Sequence, residues 1–163
     1  MSGGVDSAVS AFLLKEQGYD VHAIFMQNWD QKNDPNCSAT QDLTDARTVC
    51  DKLQIPLTTV DFSSQYWQKV FQFMLDEYNQ GRTPNPDIIC NREIKFKDFL
   101  NYAKELGASY LATGHYARSK LLEDKWALLK GIDDTKDQSY FLYTLGQKEL
   151  AMTLFPLGNL KKT

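Results

Sequence analysis

Residues 1–7 read MSGGVDS, and we expect the rest of the chain to be built around the loop that they form. Two adjacent glycines let the backbone turn tightly and approach a ligand, because no β-carbon stands in the way. The residues that follow have apolar side chains at helical spacing, so the N–H groups of a first helical turn would face the same hollow and attract an anion. The loop therefore indicates a phosphate site, and a helix start capped by Ser2 or Asp6 is the simpler alternative.

The composition is typical of a globular protein with one core, because 163 residues with 42% hydrophobic side chains favour a single domain. No apolar run has the length of a membrane span and no signal peptide is visible, so we expect an intracellular protein without a membrane partner. The three cysteines, Cys37, Cys50 and Cys90, are too widely spaced for a disulfide scaffold or a zinc site, and no metal site is predicted. The net charge of −3 does not indicate a nucleic-acid binder, so an RNA-binding surface would be local or lie outside this segment.

Helices and strands alternate along residues 1–118, and this alternation predicts an α/β fold with a doubly wound, mostly parallel sheet. Short apolar runs are typical of buried parallel strands, and Cys50 is expected to be a small buried residue of a helix. The predicted elements are a helix ending at Gly18, a strand over 21–26, a loop over 28–36, a helix over 43–53, a strand over 57–62 and a helix over 63–78 capped by Ser63 or Ser64.

A second informative stretch is residues 81–96, GRTPNPDIICNREIKF. Its two prolines favour a stiff, extended backbone through residues 83–87. A helix is predicted over residues 91–106, which places Cys90 at or near the N-terminus of that helix.

Cys90 is a candidate reactive thiol, because a helix N-terminus with Arg92 and Lys95 nearby favours the thiolate and lowers its pKa. Asp87 lies three residues earlier and could exchange a proton with a group held near the sulfur. A buried cysteine beside a helix cap is an equally good interpretation of the same residues.

The remaining residues predict a strand over 110–116, a hairpin over 119–130 and a short helix over 147–154. Gly114 follows the strand and could let the backbone approach a nucleotide, since ligands bind at strand ends in doubly wound sheets. His115 could transfer protons, although a lone histidine beside a strand is more often structural.

The opening loop belongs to a series of motifs along the chain. SGGVDS matches the pyrophosphate-loop pattern SGGxDS, whereas the γ-phosphate loop GxxxxGK[ST] is absent. Further motifs are FMQNWD (25–30), GRTPNPDIICNREIKF (81–96), ATGHYAR (112–118), LLKGID (128–133), KDQSYFLYTL (136–145) and LFPLGNL (154–160). Together, and in this order along essentially the whole chain, these motifs resemble the tRNA-specific 2-thiouridylases, which are ATP pyrophosphatases of the PP-loop type.

The resemblance implies an adenine nucleotide α-hydrolase-like fold in which a strand precedes the loop. That first strand is missing here, so we expect one PP-loop domain over residues 1–163 that is truncated at both ends. Residues 1–118 would form its α/β core, and residues 119–163 would form a hairpin and the start of a tRNA-contacting region. A chain extended N-terminally by a strand should bind ATP more tightly.

The resemblance also implies an activity. Members of the family use ATP, with Mg²⁺, to adenylate the C2 oxygen of the wobble uridine in certain tRNAs, after which a protein-bound persulfide supplies sulfur and AMP leaves. The implied partners are tRNA and a sulfur-relay or cysteine desulfurase protein that donates the persulfide. The implied location is the cytoplasm, or the mitochondrion in a eukaryote.

Carried over by position, the family's functional residues fall into three groups in this sequence. The residues implied at the nucleotide are Ser2, Gly3, Gly4, Val5, Asp6, Ser7, Met26 and Gly114. The residues implied at the target base are Asn85, Pro86 and Asp87, with Asp87 as acid/base, while Lys136, Asp137 and Gln138 match the tRNA-contacting KDQ. Cys90 matches the first catalytic cysteine, which attacks the persulfide sulfur or resolves it as a disulfide.

The sequence departs from the family pattern after Cys90, because the second catalytic cysteine, the persulfide carrier, is absent. This chain should therefore bind nucleotide but not complete thiolation. Two alternatives remain open: another ATP pyrophosphatase, such as an adenylating amidotransferase, and a nucleotide-binding module without turnover.

Overall fold

The computed structural model of the protein describes residues 1–29 and 39–162. These residues belong to two compact units, Met1–Trp67 and Gln68–Thr163. Most of the predicted loop over 28–36 lies outside the described residues, as does Cys37. The single domain expected over residues 1–163 stays a prediction.

The described residues of the first unit form two parallel strands and three helices. Its elements in chain order are α1 (Val5–Glu16), β1 (Ala23–Gln27), α2 (Ala39–Leu53), β2 (Leu57–Asp61) and α3 (Ser63–Tyr66). Strand β1 pairs with β2 in parallel, in a register that runs from Ala23 opposite Leu57 to Gln27 opposite Asp61. The predicted parallel arrangement of these strands is therefore confirmed.

The core of this unit lies between α1, α2 and β1. Its buried residues are Ala11, Ala23, Cys50 and Ile55, with Met1, Val21, Leu53 and Leu57 packed against them. Cys50 is only 1% exposed, so its predicted place in a core is confirmed.

Helix α3 begins at Ser63. A cap by Ser63 or Ser64 was expected, but neither side chain caps this helix. The carboxylate of Asp61 accepts the N–H of Ser63 at 2.8 Å instead. The last residue of β2 therefore stabilises the start of the next helix.

The second unit consists of helical segments, a hairpin and one short parallel strand pair. After a π-helical segment at Trp67–Phe71, its elements are α4 (Gln72–Asn79), α5 (Pro86–Ile89), a π-helix (Cys90–Phe99), α6 (Leu100–Glu105), β3 (Leu111–Ala112), β4 (Ala117–Leu122), β5 (Lys125–Lys130), a 3₁₀-helix (Ser139–Leu142), α7 (Gln147–Ala151) and β6 (Thr153–Leu154). The core residues are Phe96, Leu100, Leu111, Ala117 and Leu142.

The helix predicted from residue 91 begins earlier, at Pro86. The predicted extended backbone over 83–87 gives way to helix at Pro86, and Asn85 is the N-cap residue. The side chain of Asn85 accepts the N–H groups of Asp87 and Ile88 at 3.1 and 3.3 Å. Proline is favoured at the first position of a helix, because the N–H that it lacks would have no partner there. The predicted extended backbone was therefore wrong for residues 86 and 87.

Two predictions for the second unit differ from the structure. The helix predicted over 147–154 ends at Ala151, and β6 follows it. The strand predicted over 110–116 is reduced to Leu111–Ala112, which pairs in parallel with β6. The predicted hairpin is confirmed, with β4 and β5 antiparallel and Glu123 at a φ of 54° in its turn. In the described part of the chain the strands form three two-stranded sheets, and a continuous doubly wound sheet stays a prediction.

Among residues 1–29 and 39–162, no helix combines the length and the apolar character that crossing a membrane requires.

Candidate functional site

The loop over residues 1–7 has a backbone that depends on glycine. Gly3 has a φ of +81°, a conformation that L-residues rarely adopt. A Cβ atom at Gly3 would lie 2.6 Å from the carbonyl oxygen of Asp42 in α2. The loop therefore packs against α2 closely enough to exclude any side chain at this position.

The hydroxyl of Ser7 holds the loop in shape. The Oγ of Ser7 accepts the N–H of Ser2 at 3.1 Å and lies 2.9 Å from the carbonyl oxygen of Gly4, to which it donates. Gly4 is the N-cap of α1, and no side chain in the described part of the protein caps this end of the helix. The alternative of a cap by Ser2 or Asp6 is therefore wrong, and a phosphate site at the first turn of α1 stays a prediction.

The residues expected at a nucleotide divide between the two units. Ser2, Gly3, Gly4, Val5, Asp6 and Ser7 belong to the first unit, as does Met26, which lies half-buried near the end of β1 opposite Val60. Gly114 belongs to the second unit, where it follows β3 in a half-buried loop.

The second unit contains a cavity of about 250 Å³ that brings together residues from several parts of the sequence. It is lined by Asp87, Cys90, Asn91, Lys95, His115, Gln138 and Phe141. Three of these, Asp87, Cys90 and Gln138, were expected at the site from the sequence. Asn85, Pro86, Lys136 and Asp137 do not line the cavity.

The π-helix over Cys90–Phe99 determines which side chains face this cavity. Its hydrogen bonds join residues five apart, so positions i and i+5, like positions i and i+4, lie on the same side of the helix. Cys90 and Lys95 are such a pair, whereas in an α-helix the same spacing would separate them by about 140° around the axis. The π-helical winding therefore brings the Lys95 side chain onto the face that carries the Cys90 thiol, and π-helical segments are frequent at functional sites.

The electrostatics at Cys90 differ from the prediction. Burial raises the pKa of the Cys90 thiol; the positive charge of Lys95 lowers it and the negative charge of Asp87 raises it further, with a net result above the ordinary value. The expected decrease in the pKa was wrong for two reasons. The thiol is 9% exposed, and Cys90 lies a full turn inside a helix that starts at Pro86, away from the first-turn N–H groups.

His115 faces the same cavity with a strongly shifted pKa. Burial and the nearby charge of Lys95 lower the pKa of the imidazole to about 3. The Nδ1 of His115 lies 2.9 Å from the Oγ1 of Thr113, which fixes the orientation of the ring. His115 is therefore neutral near pH 7 and suits hydrogen bonding to a ligand better than proton abstraction.

Asn91 lines the cavity and was not among the residues expected there from the sequence. It is 2% exposed, and its Nδ2 donates to the carbonyl oxygen of Phe141 at 3.1 Å. Its Oδ1 is buried and has no hydrogen-bond partner among residues 1–29 and 39–162. A signal was available, because Asp87, Asn91 and Lys95 are spaced four apart and such residues share a helix face.

The KDQ residues at 136–138 differ in what they do. Lys136 is exposed, but Asp137 accepts hydrogen bonds from the N–H of Gly131 at 2.9 Å and from the hydroxyl of Ser139 at 2.8 Å. The Oε1 of Gln138 accepts the N–H of Tyr116 at 3.0 Å. Two of the three residues therefore hold the loop together through their side chains.

Comparison with known proteins finds relatives that match this chain over nearly its whole length. The sequence profile described as "tRNA methyl transferase HUP domain" matches residues 1–163. Curated proteins named "tRNA-specific 2-thiouridylase MnmA" are similar to this chain: that of Francisella tularensis subsp. novicida is 58% identical over 100% of this chain and 46% of its own length. That of Proteus mirabilis is 59% identical over 99% of this chain and 45% of its own length, and that of Bacillus cytotoxicus is 58% identical over 99% and 44%.

The chain thus spans less than half the length of these relatives, at 44–46%. The resemblance to 2-thiouridylases, based on motifs from residue 1 to residue 160, is confirmed by relatives that match the same residues throughout. A family profile that covers all 163 residues identifies this chain as a member of the tRNA methyl transferase HUP domain family.

Proposed function

We propose that this chain forms the ATP-using and sulfur-transferring part of a tRNA 2-thiouridylase, which replaces the C2 oxygen of a wobble uridine with sulfur. The observation that carries the proposal is the cavity of the second unit, where Asp87 and Cys90 lie together with Asn91 and Lys95. A thiol and a carboxylate in one cavity are the groups that transfer of sulfur to a base requires. The printed name of the relatives, tRNA-specific 2-thiouridylase, supports the same reaction.

The loop over residues 1–7 is proposed to bind the phosphates of ATP. Support comes from its anion-binding geometry and from Gly3, where a Cβ would meet the backbone of Asp42 at 2.6 Å. ATP supplies an adenylyl group when bound, and Mg²⁺ would accompany its phosphates. Ser2, Gly4, Val5, Asp6 and Ser7 complete the loop, and Met26 of the same unit is proposed near the adenosine.

In the first step, uridine O2 forms a bond to the α-phosphorus, the bond between the α-phosphorus and the bridging oxygen breaks, and pyrophosphate leaves. The N3 proton of the base passes to solvent. C2 is thereby activated, because adenylate is a far better leaving group than oxide.

In the second step, the outer sulfur of a persulfide on a carrier cysteine attacks C2. Asp87 takes the persulfide proton, and AMP leaves with the former O2 oxygen. The base is then joined through a disulfide bond to the carrier.

Cys90 is proposed to complete the reaction. Its thiolate attacks the carrier sulfur, the sulfur–sulfur bond breaks, and 2-thiouridine is released after N3 regains a proton. Cys90 and the carrier cysteine are left as a disulfide, which an external thiol must reduce before the next turnover. The Lys95 charge favours the thiolate that this attack requires, against the opposing effect of burial.

Two partners follow from this proposal. Transfer RNA brings the uridine, which must leave its stack to enter the cavity; Asn85 and Pro86 lie beside the entering base, and Lys136, Asp137 and Gln138 belong to a tRNA-contacting loop. A sulfur-relay or cysteine desulfurase protein supplies the persulfide. The proposed location of the reaction is the cytoplasm.

The products formed from ATP test this function. We expect the full-length protein with tRNA, a persulfide donor and α-labelled ATP to release pyrophosphate and AMP and to form 2-thiouridine. Formation of ADP would contradict the proposal, as would glutamine-dependent amination, which indicates an amidotransferase. ATP binding without turnover would indicate a regulatory module, and methylated tRNA without AMP would favour the methyl transfer in the family's description.

A further inference from the structure

The Asn91 side chain has one satisfied and one unsatisfied end. Its Nδ2 donates to the carbonyl oxygen of Phe141 at 3.1 Å, while its Oδ1 is buried without a hydrogen-bond partner in the described part of the chain. Leaving a buried acceptor unpaired is costly, so such an atom in a cavity wall indicates a ligand that donates to it.

The orientation of this amide is fixed by its neighbour. A carbonyl oxygen can only accept hydrogen bonds, so the end of Asn91 that faces Phe141 must be the amide nitrogen. The oxygen is thereby the end that has no partner among the described residues. Asn91 itself is 2% exposed, which prevents it from turning towards bulk water.

Lys95 adds a donor to the same wall. It lies four residues after Asn91 on the same helical face and lines the same cavity. It forms no ion pair with any carboxylate in the described ranges, whereas Lys97, two residues away, is paired with Glu93 at 2.8 Å. Asn91 and Lys95 thus both line the cavity, one with an unsatisfied acceptor and the other with a cationic donor.

The size of the cavity limits what can enter it. About 250 Å³ is less than the roughly 300–1,000 Å³ of pockets for drug-sized ligands and suits a single base rather than a whole nucleotide. An acceptor next to a donor complements an N–H next to a carbonyl. Uracil presents that pair at N3 and the adjacent carbonyl, whereas N3 of cytosine is itself an acceptor and would face the Asn91 oxygen.

We propose that Asn91 is a specificity-determining residue that accepts the N3–H of the target uridine, while Lys95 donates to an adjacent carbonyl of the same base. This inference rests on the proposed function and adds to it the edge of the base that is recognised. Because adenylation removes the N3 proton, the contact belongs to the substrate complex and is lost as the reaction proceeds.

The test uses the unmodified full-length protein and three anticodon stem-loop RNAs, with uridine, 3-methyluridine or 5-methyluridine at the target position. Binding is measured by fluorescence anisotropy. We expect 3-methyluridine to bind roughly ten- to hundredfold more weakly than uridine, because it lacks the donor. The 5-methyl RNA is the control for added size and should bind within a few-fold of uridine.

The same series with Asn91→Ala assigns the effect to the residue. The variant removes the acceptor and makes room for a methyl group, so the difference between uridine and 3-methyluridine should largely disappear. A thermal melt checks that the variant is folded. If the variant does not fold, the comparison of the three RNAs on the unmodified protein still tests the inference.

Equal binding of uridine and 3-methyluridine by the unmodified protein would overturn the inference, as would discrimination that persists in folded Asn91→Ala. Thiolation of the uridine RNA is measured in parallel to separate this result from the proposed function. Thiolation without discrimination refutes only the role of Asn91. Discrimination that depends on Asn91 without thiolation supports the base contact and refutes the reaction.

Discussion

Gln138 and Tyr116 are joined by two hydrogen bonds that run in opposite directions. The N–H of Gln138 donates to the Tyr116 carbonyl at 2.9 Å, and the N–H of Tyr116 donates to the Oε1 of Gln138 at 3.0 Å. Tyr116 directly follows His115, so this pairing ties the KDQ loop to a segment that lines the cavity. Gln138 thus has a structural role in addition to its expected contact with tRNA.

Replacing Gln138 with alanine should destabilise the protein by about 1–3 kcal/mol, because the buried N–H of Tyr116 would lose its acceptor. Gln138→Glu keeps an acceptor oxygen at the same position and should be close to the unmodified protein in stability. Urea unfolding of both variants measures the difference. If Gln138→Ala lowered tRNA affinity without any loss of stability, Gln138 would contact tRNA and would have no structural role.

Asp137 should make stability depend on acid pH. Burial raises the pKa of this carboxyl, but hydrogen bonds from Gly131 and Ser139 outweigh that effect and hold the pKa below its ordinary value. A group whose pKa is lowered by folding stabilises the protein above its unfolded value of about 3.9, and that stability is lost as the pH falls through the folded value. Asp137→Asn should therefore be less stable than the unmodified protein at neutral pH. Urea unfolding from neutral to acid pH should show that the variant loses less stability than the unmodified protein does. An unchanged pH profile would contradict this role.

Gly3→Ala should abolish ATP binding in an equilibrium titration, because a Cβ would lie 2.6 Å from the Asp42 carbonyl oxygen and distort the loop. Gly18→Ala is the matched control in the same unit. Gly18 also has a positive φ, +85°, but a Cβ there would meet nothing within 4 Å. The control should cost only roughly 1–2 kcal/mol of backbone strain and leave ATP affinity unchanged. Equal ATP affinities for both variants would contradict the assigned close packing.

Lys95→Met should raise the pKa of Cys90 further, because the charge that lowers it is removed. The pH dependence of iodoacetamide alkylation, followed at the Cys90 peptide by mass spectrometry, measures this shift. Lys97→Met is the control: it removes the same charge two residues away, where Lys97 is paired with Glu93. A similar shift in both variants would indicate a general charge effect rather than a specific contact across the π-helix.

Much of the fold could be predicted from local patterns. The apolar runs of β1 and β2 indicated parallel strands, and the position of Cys50 within an amphipathic helix indicated a core residue, because burial is encoded directly in periodicity. The start of α5 was missed although its signal was present. Asn85 followed by Pro86 is typical of an N-cap and first helical position, and weighing the prolines only as helix breakers concealed it.

Residues of the cavity could be selected from the sequence where motifs mark them, and could not be selected where their placement depends on helix winding. Asp87 and Cys90 could be selected from the sequence, and both line the cavity. The pairing of Cys90 with Lys95 follows from π-helical geometry, which no local propensity predicts. The raised pKa of Cys90 could not be predicted either, because it results from burial by residues far along the chain, including the segment with Phe141.

The release of the thiolated base by Cys90 is the step on which the proposed function depends. It is measured in full-length protein carrying Cys90→Ser, with Cys50→Ala as the control cysteine in the core of the first unit. Each protein is incubated with ATP, tRNA and a persulfide donor, and free 2-thiouridine tRNA is quantified together with AMP. We predict that Cys50→Ala forms thiolated tRNA as the unmodified protein does, while Cys90→Ser releases AMP once and yields no free thiolated tRNA. Thiolated tRNA formed by Cys90→Ser at the unmodified rate would contradict the account.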